Sequence, residues 1–145
     1  MLVNEIMSAP VVTIAPMASP TEAALAMERA KITHLVVTSG ARIEGVLCDH
    51  DLRGARPDST VAELMSAPAV TLPPRADVHD AAKLLRRRSI GSVVIVDEKR
   101  LAGIVTTADL LALLGKGAAR VSEITPKWTL PNRGPTHRPD RRFRR

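Results

Sequence analysis

Two apolar runs stand out along the chain, Leu35-Val36-Val37 and Val93-Val94-Ile95-Val96, each followed after a short polar break by another, at 43–47 and 101–105. Short unbroken runs of β-branched residues predict strands buried on both faces. The breaks, Ser39-Gly40 and Asp97-Glu98, carry turn residues, so each pair reads as strand, tight turn, strand. Upstream, the period lengthens. Ala23, Ala24, Met27 and Ala30 share one helical face, as do Ala81, Ala82 and Leu85, predicting helices that run to about Lys31 and Arg88. Ser19-Pro20-Thr21-Glu22 opens the first helix with an N-cap hydroxyl, a proline at the first helical position and a glutamate three residues on. Asp77-Val78-His79-Asp80 opens the second in the same way. Ahead of the helices, residues 11–14 and 69–72 read as short strands followed by proline-containing loops. Downstream of the strand pairs, last short helices start near Asp49 and near Thr107 and are expected to stop at Gly54 and Gly115.

These likenesses are one likeness. Glu5-Ile6-Met7-Ser8-Ala9-Pro10 recurs as Glu63-Leu64-Met65-Ser66-Ala67-Pro68, and the offset of 58 holds without a gap to Asp51-Leu52 against Asp109-Leu110. The chain is an internal repeat of a β-α-β-β-α unit. A single unit of roughly 50 residues buries too little apolar surface to be stable alone. The expected fold is therefore α/β (α+β), with tandem units packed sheet to sheet about a pseudo-two-fold axis. Repeat 1 takes residues 1–57, repeat 2 takes 58–115, and 116–145 form a tail.

Composition sharpens this in three places. The only aromatic residues are Trp128 and Phe143, so the core must be aliphatic. Cys48 is the single cysteine, which excludes an internal disulfide and suggests a reducing, cytoplasmic setting. No signal-peptide pattern opens the chain, and no apolar run approaches the 18 or so residues of a membrane span. The net charge of +6 is unevenly placed: residues 116–145 hold nine Lys/Arg and two acids, leaving the first 115 residues at −1. The tail from Pro126, with four prolines and the terminal Arg141-Arg142-Phe143-Arg144-Arg145, is expected to be disordered in isolation, so that deleting it leaves thermal stability nearly unchanged. Just before it, residues 121–124 echo the start of a repeat and are expected to pack back as a short capping segment.

Candidate chemistry concentrates at Thr106-x-x-Asp109, where a buried strand meets a helix start. As a bare pattern it is a helix cap. In a ligand cleft the same carboxylate can accept hydrogen bonds from two sugar hydroxyls, and the helix N-terminus beside it favours phosphate. In repeat 1 the matching residues are Cys48 and Asp51, a thiol in place of the hydroxyl. There Asp49 is the expected cap, leaving Asp51 free for a ligand. Cys48 itself reads as a small buried hydrophobe. His34 precedes a strand, where it edges the cleft or lies half-buried on the surface. Arg86-Arg87-Arg88 reads as a solvated helix end. The four histidines lack metal-ligand spacing, and neither a catalytic set nor a glycine-rich phosphate loop is visible, so the chain is read as neither enzyme nor metal protein.

The paired Met-Ser-x-Pro-x-Val-Thr openings and the Gly103-Ile104-Val105-Thr106-x-x-Asp109-Leu110 motif resemble the CBS-domain family, named for cystathionine beta-synthase, over residues 3–114. The resemblance implies a regulatory module that binds adenosyl ligands in the clefts between its repeats. Its ligand would be AMP, ADP or ATP, with S-adenosylmethionine or NAD as alternatives, and no cofactor is required. It implies a favoured cleft formed by Thr106, Asp109, Met7, Val12, Ile32 and Thr33, and a weaker one formed by Cys48, Asp51, Met65, Val70, Ile90 and Gly91. A homodimer and an effector protein are the implied partners. The competing readings are weak nucleic-acid or anionic-surface binding through the basic tail, and a purely structural module with degenerate clefts.

Overall fold

A computed structural model describes residues 1–117. A compact unit spans Met1–Leu110, and the described residues after it, 111–117, are the end of one helix. Residues 118–145, with Trp128 and the 121–124 echo, lie outside the described residues.

The first unit holds two three-stranded sheets of the same design. Strands β1 (Thr13–Ile14), β2 (His34–Ser39) and β3 (Arg42–Cys48) form one; β4 (Thr71–Leu72), β5 (Ser92–Asp97) and β6 (Arg100–Thr106) form the other. In each, the first strand lies parallel to the second and the second antiparallel to the third. The registers differ by the sequence offset alone: Thr13 pairs with Val36 and Thr71 with Val94, while His34 pairs with Cys48 and Ser92 with Thr106. Even the bulge repeats, after Val37 and after Ile95. The expected strands were right in place and short by a residue or two at most ends, except β1 and β4, which are two residues long rather than four.

The uninterrupted apolar runs now have a reason. Along β2, Leu35 and Val37 face a core shared with Ala23, Met27, Leu47 and Val61, whereas Val36 faces the other sheet and meets Val94 and Ile104. Alternate side chains thus enter different cores, and no position is left for a polar residue. Each such valine or leucine contributes about 1.5–3 kcal/mol by leaving water.

The helices are α1 (Pro20–Ala30), α2 (Val61–Leu64), α3 (Val78–Arg88) and α4 (Thr107–Gly117). Ser19 caps α1 by accepting from the Glu22 N–H at 3.1 Å, and Asp77 caps α3 by accepting from the His79 N–H at 2.8 Å. Helices α1 and α3 each end on a residue other than glycine in the left-handed conformation, Lys31 (φ 56°) and Ser89 (φ 52°). Three expectations need correction. On α1 the inward face is Ala23, Ala26 and Met27; Ala24 and Ala30 are exposed, because an 11-residue helix lying on a three-stranded sheet buries a narrower stripe than the alanines allow. Gly115 does not stop α4, which continues to Gly117, and the turn at Asp49–Leu52 is a 3₁₀ turn rather than a matching helix.

The repeats exchange their openings. Ser8 bonds to Ile104 of β6 in both directions, at 2.9 and 3.1 Å, and Ser66 bonds to Val46 of β3 at 2.9 and 3.0 Å. Each Met-Ser segment therefore extends the sheet of the other repeat. It crosses directly over Gly103 or Gly45: a Cβ on Gly45 would lie 2.5 Å from the Ser66 carbonyl oxygen, and one on Gly103 would meet Met7 Sδ. Only glycine fits beneath these crossings.

Candidate functional site

The exchange creates two cavities, each walled by the end of one repeat's hairpin and by the opening and helix end of the other. The larger, about 370 Å³, lies at Asp109; the smaller, about 250 Å³, at Asp51.

At the larger cavity, Thr106 ends β6 and Asp109 occupies the first turn of α4. Asp109 Oδ2 accepts from the Thr106 N–H at 2.7 Å and from its hydroxyl at 3.1 Å, and the Asp109 N–H donates back to Thr106 Oγ1 at 3.3 Å. The motif is thus a complete helix cap. All the bonds to the carboxylate fall on Oδ2, so Oδ1 has no protein donor among the described residues. The opposite wall comes from repeat 1: Val12, Ile32 and Thr33, with Lys31 at the end of α1. Of the six residues expected here, Thr106, Asp109, Val12, Ile32 and Thr33 line the cavity. Met7 is placed differently: its sulfur packs onto Gly103, beneath the crossing of the chain.

The smaller cavity departs at the cap. Asp49 was expected to cap the turn; instead Cys48 stands at the N-cap position and Asp51 Oδ2 accepts the Cys48 N–H at 2.8 Å. The reason is spacing, since a carboxylate three residues into the turn reaches the orphan amide and one in its first position does not. Cys48, Asp51, Val70, Ile90 and Gly91 line this cavity, while Met65 packs against Gly45 and the repeat 1 core. Burial pushes the Cys48 thiol above its usual range, so it stands neutral at pH 7. Donor atoms of Cys48, Asp49 and His50 lie within 4.8 Å of one another, one short of the four a structural zinc takes.

His34 belongs to both cavities, and among the described residues no other lines the two. Its Nδ1 lies 3.1 Å from Thr33 Oγ1, on the Asp109 side, and its Nε2 faces Gly91, on the Asp51 side. Burial lowers its pKa below the ordinary histidine value; Asp49, Asp51 and Asp109 pull the other way. Sequence alone placed it at an edge. The shared position follows from the crossing of the repeats, which brings Gly91 against it. Lys31 and the serines Ser89 and Ser92 were also not anticipated. The signal for them was present, since they lie within two residues of Thr33 and Gly91, themselves matched by the offset of 58.

Two interlocked β-α-β-β units with a carboxylate-bearing cleft between them are matched by the model of one family, the CBS domain, twice: over residues 3–58 and 61–116. The chain belongs to the CBS-domain family. Within it, this CBS pair is 30% identical over 114 residues to the CBS domain-containing protein YhcV of Bacillus subtilis (strain 168), covering 74% of this chain and 81% of that one. It is 33% identical over 117 residues to a homoserine O-acetyltransferase of Methanococcoides burtonii, of which it spans 24%. Among solved structures, it is similar to the CBS domain pair of protein MJ0100 in complex with 5′-methylthioadenosine and S-adenosyl-L-methionine. The TM-score is 0.75 at 29% identity, covering 81% of this chain and 98% of that one. It is also similar to the CBS domain of the bacterial CNNM/CorC family Mg²⁺ transporter in complex with ATP, with a TM-score of 0.68 at 27% identity, covering 77% and 84%. Among the described residues no helix is long and apolar enough to cross a membrane.

Proposed function

We propose that this CBS pair is a regulatory sensor of adenosyl ligands, with its nucleotide site in the Asp109 cleft. The observation that carries the reading is that Asp109, its Oδ1 without a donor among the described residues, lines a cavity of about 370 Å³ from the first turn of an 11-residue helix. The carboxylate accepts the ribose hydroxyls. The α4 N-terminus and Lys31 draw the phosphate, and Val12 and Ile32 wall the base. The complexes of the MJ0100 pair and of the CNNM/CorC domain support the adenosyl class. Asp51 can hold a ribose in the same way, but for a nucleotide the Asp51 cleft is the weaker or empty one.

Sensing works by differential affinity: a ligand wedged between the repeats stabilises one setting of the two sheets, and an effector protein or a second copy of the chain reads that setting. A thermal-shift panel of AMP, ADP, ATP, S-adenosylmethionine and NAD tests the reading. A ligand at a hundred times its Kd adds about 2.7 kcal/mol to the native state, which is a rise of several degrees in Tm. No shift with any member of the panel would overturn it.

A further inference from the structure

The repeat lets the two clefts be compared position by position, and the differences share one sign. Lys31 lines the Asp109 cleft; the residue 58 positions on, Ser89, lines the Asp51 cleft from the same left-handed helix end. Besides His34, which both share, the titratable groups lining the Asp109 cleft are thus one cation and one anion, Lys31 and Asp109. Those lining the Asp51 cleft are the Asp51 carboxylate and the neutral Cys48 thiol. Two residues before Asp51 stands a second carboxylate, Asp49, within 4.8 Å of the Cys48 sulfur, where the other repeat has Thr107. The Asp109 cleft meets the N-terminus of an 11-residue α-helix, the Asp51 cleft a four-residue 3₁₀ turn, whose dipole is correspondingly small. Both clefts share an apolar wall, Pro68, Ala69 and Val70 in one and Pro10, Val11 and Val12 in the other, so the charged and polar rim is what separates them.

We propose that the two clefts are built for ligands of different charge: the Asp109 cleft for a phosphorylated adenosyl ligand, the Asp51 cleft for an uncharged or cationic one. The proposal rests on the adenosyl reading above and gives the second cleft an occupant of its own. A shared ribose carboxylate anchors both ligands. The 5′ substituent then chooses the cleft. A phosphate meets Lys31 and the α4 amides on one side, and on the other a carboxylate without a lysine, with Asp49 adding negative charge from behind Cys48. A thioether or sulfonium finds the reverse, with the soft Cys48 sulfur as a neighbour.

AMP, 5′-methylthioadenosine and S-adenosylmethionine form a charge series on one adenosine, and calorimetry of the full chain at pH 7.5 with each reads the assignment. Asp109→Asn should weaken AMP at least ten-fold and spare S-adenosylmethionine; Asp51→Asn should do the opposite. Lys31 and Ser89 are exposed, so moving the charge between them should leave folding intact. Lys31→Ser should weaken AMP roughly ten-fold, as expected for one charge-assisted contact to phosphate. Ser89→Lys should weaken S-adenosylmethionine and raise AMP affinity at the Asp51 cleft by a similar factor. AMP and S-adenosylmethionine competing for one cleft, or a ratio of their affinities unmoved by Ser89→Lys, overturns the charge division and leaves the adenosyl reading standing. Failure of all three to bind overturns both.

Discussion

The Asp51 and Asp109 clefts come from one motif written twice, and they differ most where neither strand pattern nor core is at stake. Their strands pair in the same register, their carboxylates cap the same amide, and their floors are glycines at matching positions. What changed is the rim: Thr106 against Cys48, Lys31 against Ser89, Thr33 against Gly91, His34 against Ser92. A duplicated fold holds its interior fixed, because both copies enter common cores, and leaves the cleft edges free to specialise.

The sharpest way to break the comparison is to remove one carboxylate at a time. Asp109→Ala should cost AMP at least about a hundred-fold in affinity, the loss of two hydroxyl bonds to a charged acceptor, whereas Asp51→Ala should leave tight AMP binding largely intact. Calorimetry decides, and equal losses would make the clefts equivalent. The floors differ in a way that stability reads. The Cβ of Gly45→Ala would press on backbone, the Ser66 carbonyl at 2.5 Å, while that of Gly103→Ala meets first the flexible end of Met7 and then the Ser8 carbonyl at 3.1 Å. Gly45→Ala should therefore destabilise by about 1–3 kcal/mol and Gly103→Ala by less, measured by urea unfolding.

A smaller effect is expected at the hydroxyl. Thr106 Oγ1 already donates to Asp109 and accepts from its amide. A phosphate would take the proton from one anion to another, so the gain is that of an ordinary hydrogen bond. Cys48→Thr should raise AMP affinity at the Asp51 cleft by ten-fold or less, about 0.5–1.5 kcal/mol. A larger gain would show that the hydroxyl swings free of its carboxylate when ligand arrives.

The smallest effect belongs to pH. His34 is buried enough to hold its pKa below the ordinary value of about 6.5. Below that value the unfolded chain takes up a proton that the folded chain resists, so ligand-free stability falls as pH falls through and below it. Between pH 7 and 5 the Tm of the wild type should drop further than that of His34→Ser. A phosphate in either cleft adds to the upward pull of the three carboxylates, so AMP should bind with more proton uptake than uncharged adenosine.

Much of this was legible in the chain itself. The strands, the caps at Ser19 and Asp77, the repeat and most of the cavity walls follow from local pattern plus one offset. Three things were not. Met7 and Met65 carry the same local signature as their neighbours; only the glycine gap opposite each, contributed by the other repeat, draws them beneath the crossing. Asp49 and Asp51 are both plausible caps on paper, and the choice falls to which one the 3₁₀ turn carries back to the Cys48 amide. His34 gained its place in both clefts from a contact 57 residues away in sequence, at Gly91, which no periodicity announces.

The exchanged openings also bear on ancestry and assembly. Each repeat carries an arm, at Ser8 or Ser66, and a receptor edge, at Val46 or Ile104, and the arm of each fits the edge of the other. A polypeptide holding one repeat would own both halves of this joint without being able to close it on itself. Two identical copies would close it twice, as a reciprocal clasp of the arm-exchanging kind. The tandem gene product makes the clasp permanent and releases the two halves from identity, which is the condition under which one cleft could keep its lysine and hydroxyl while the other kept its thiol.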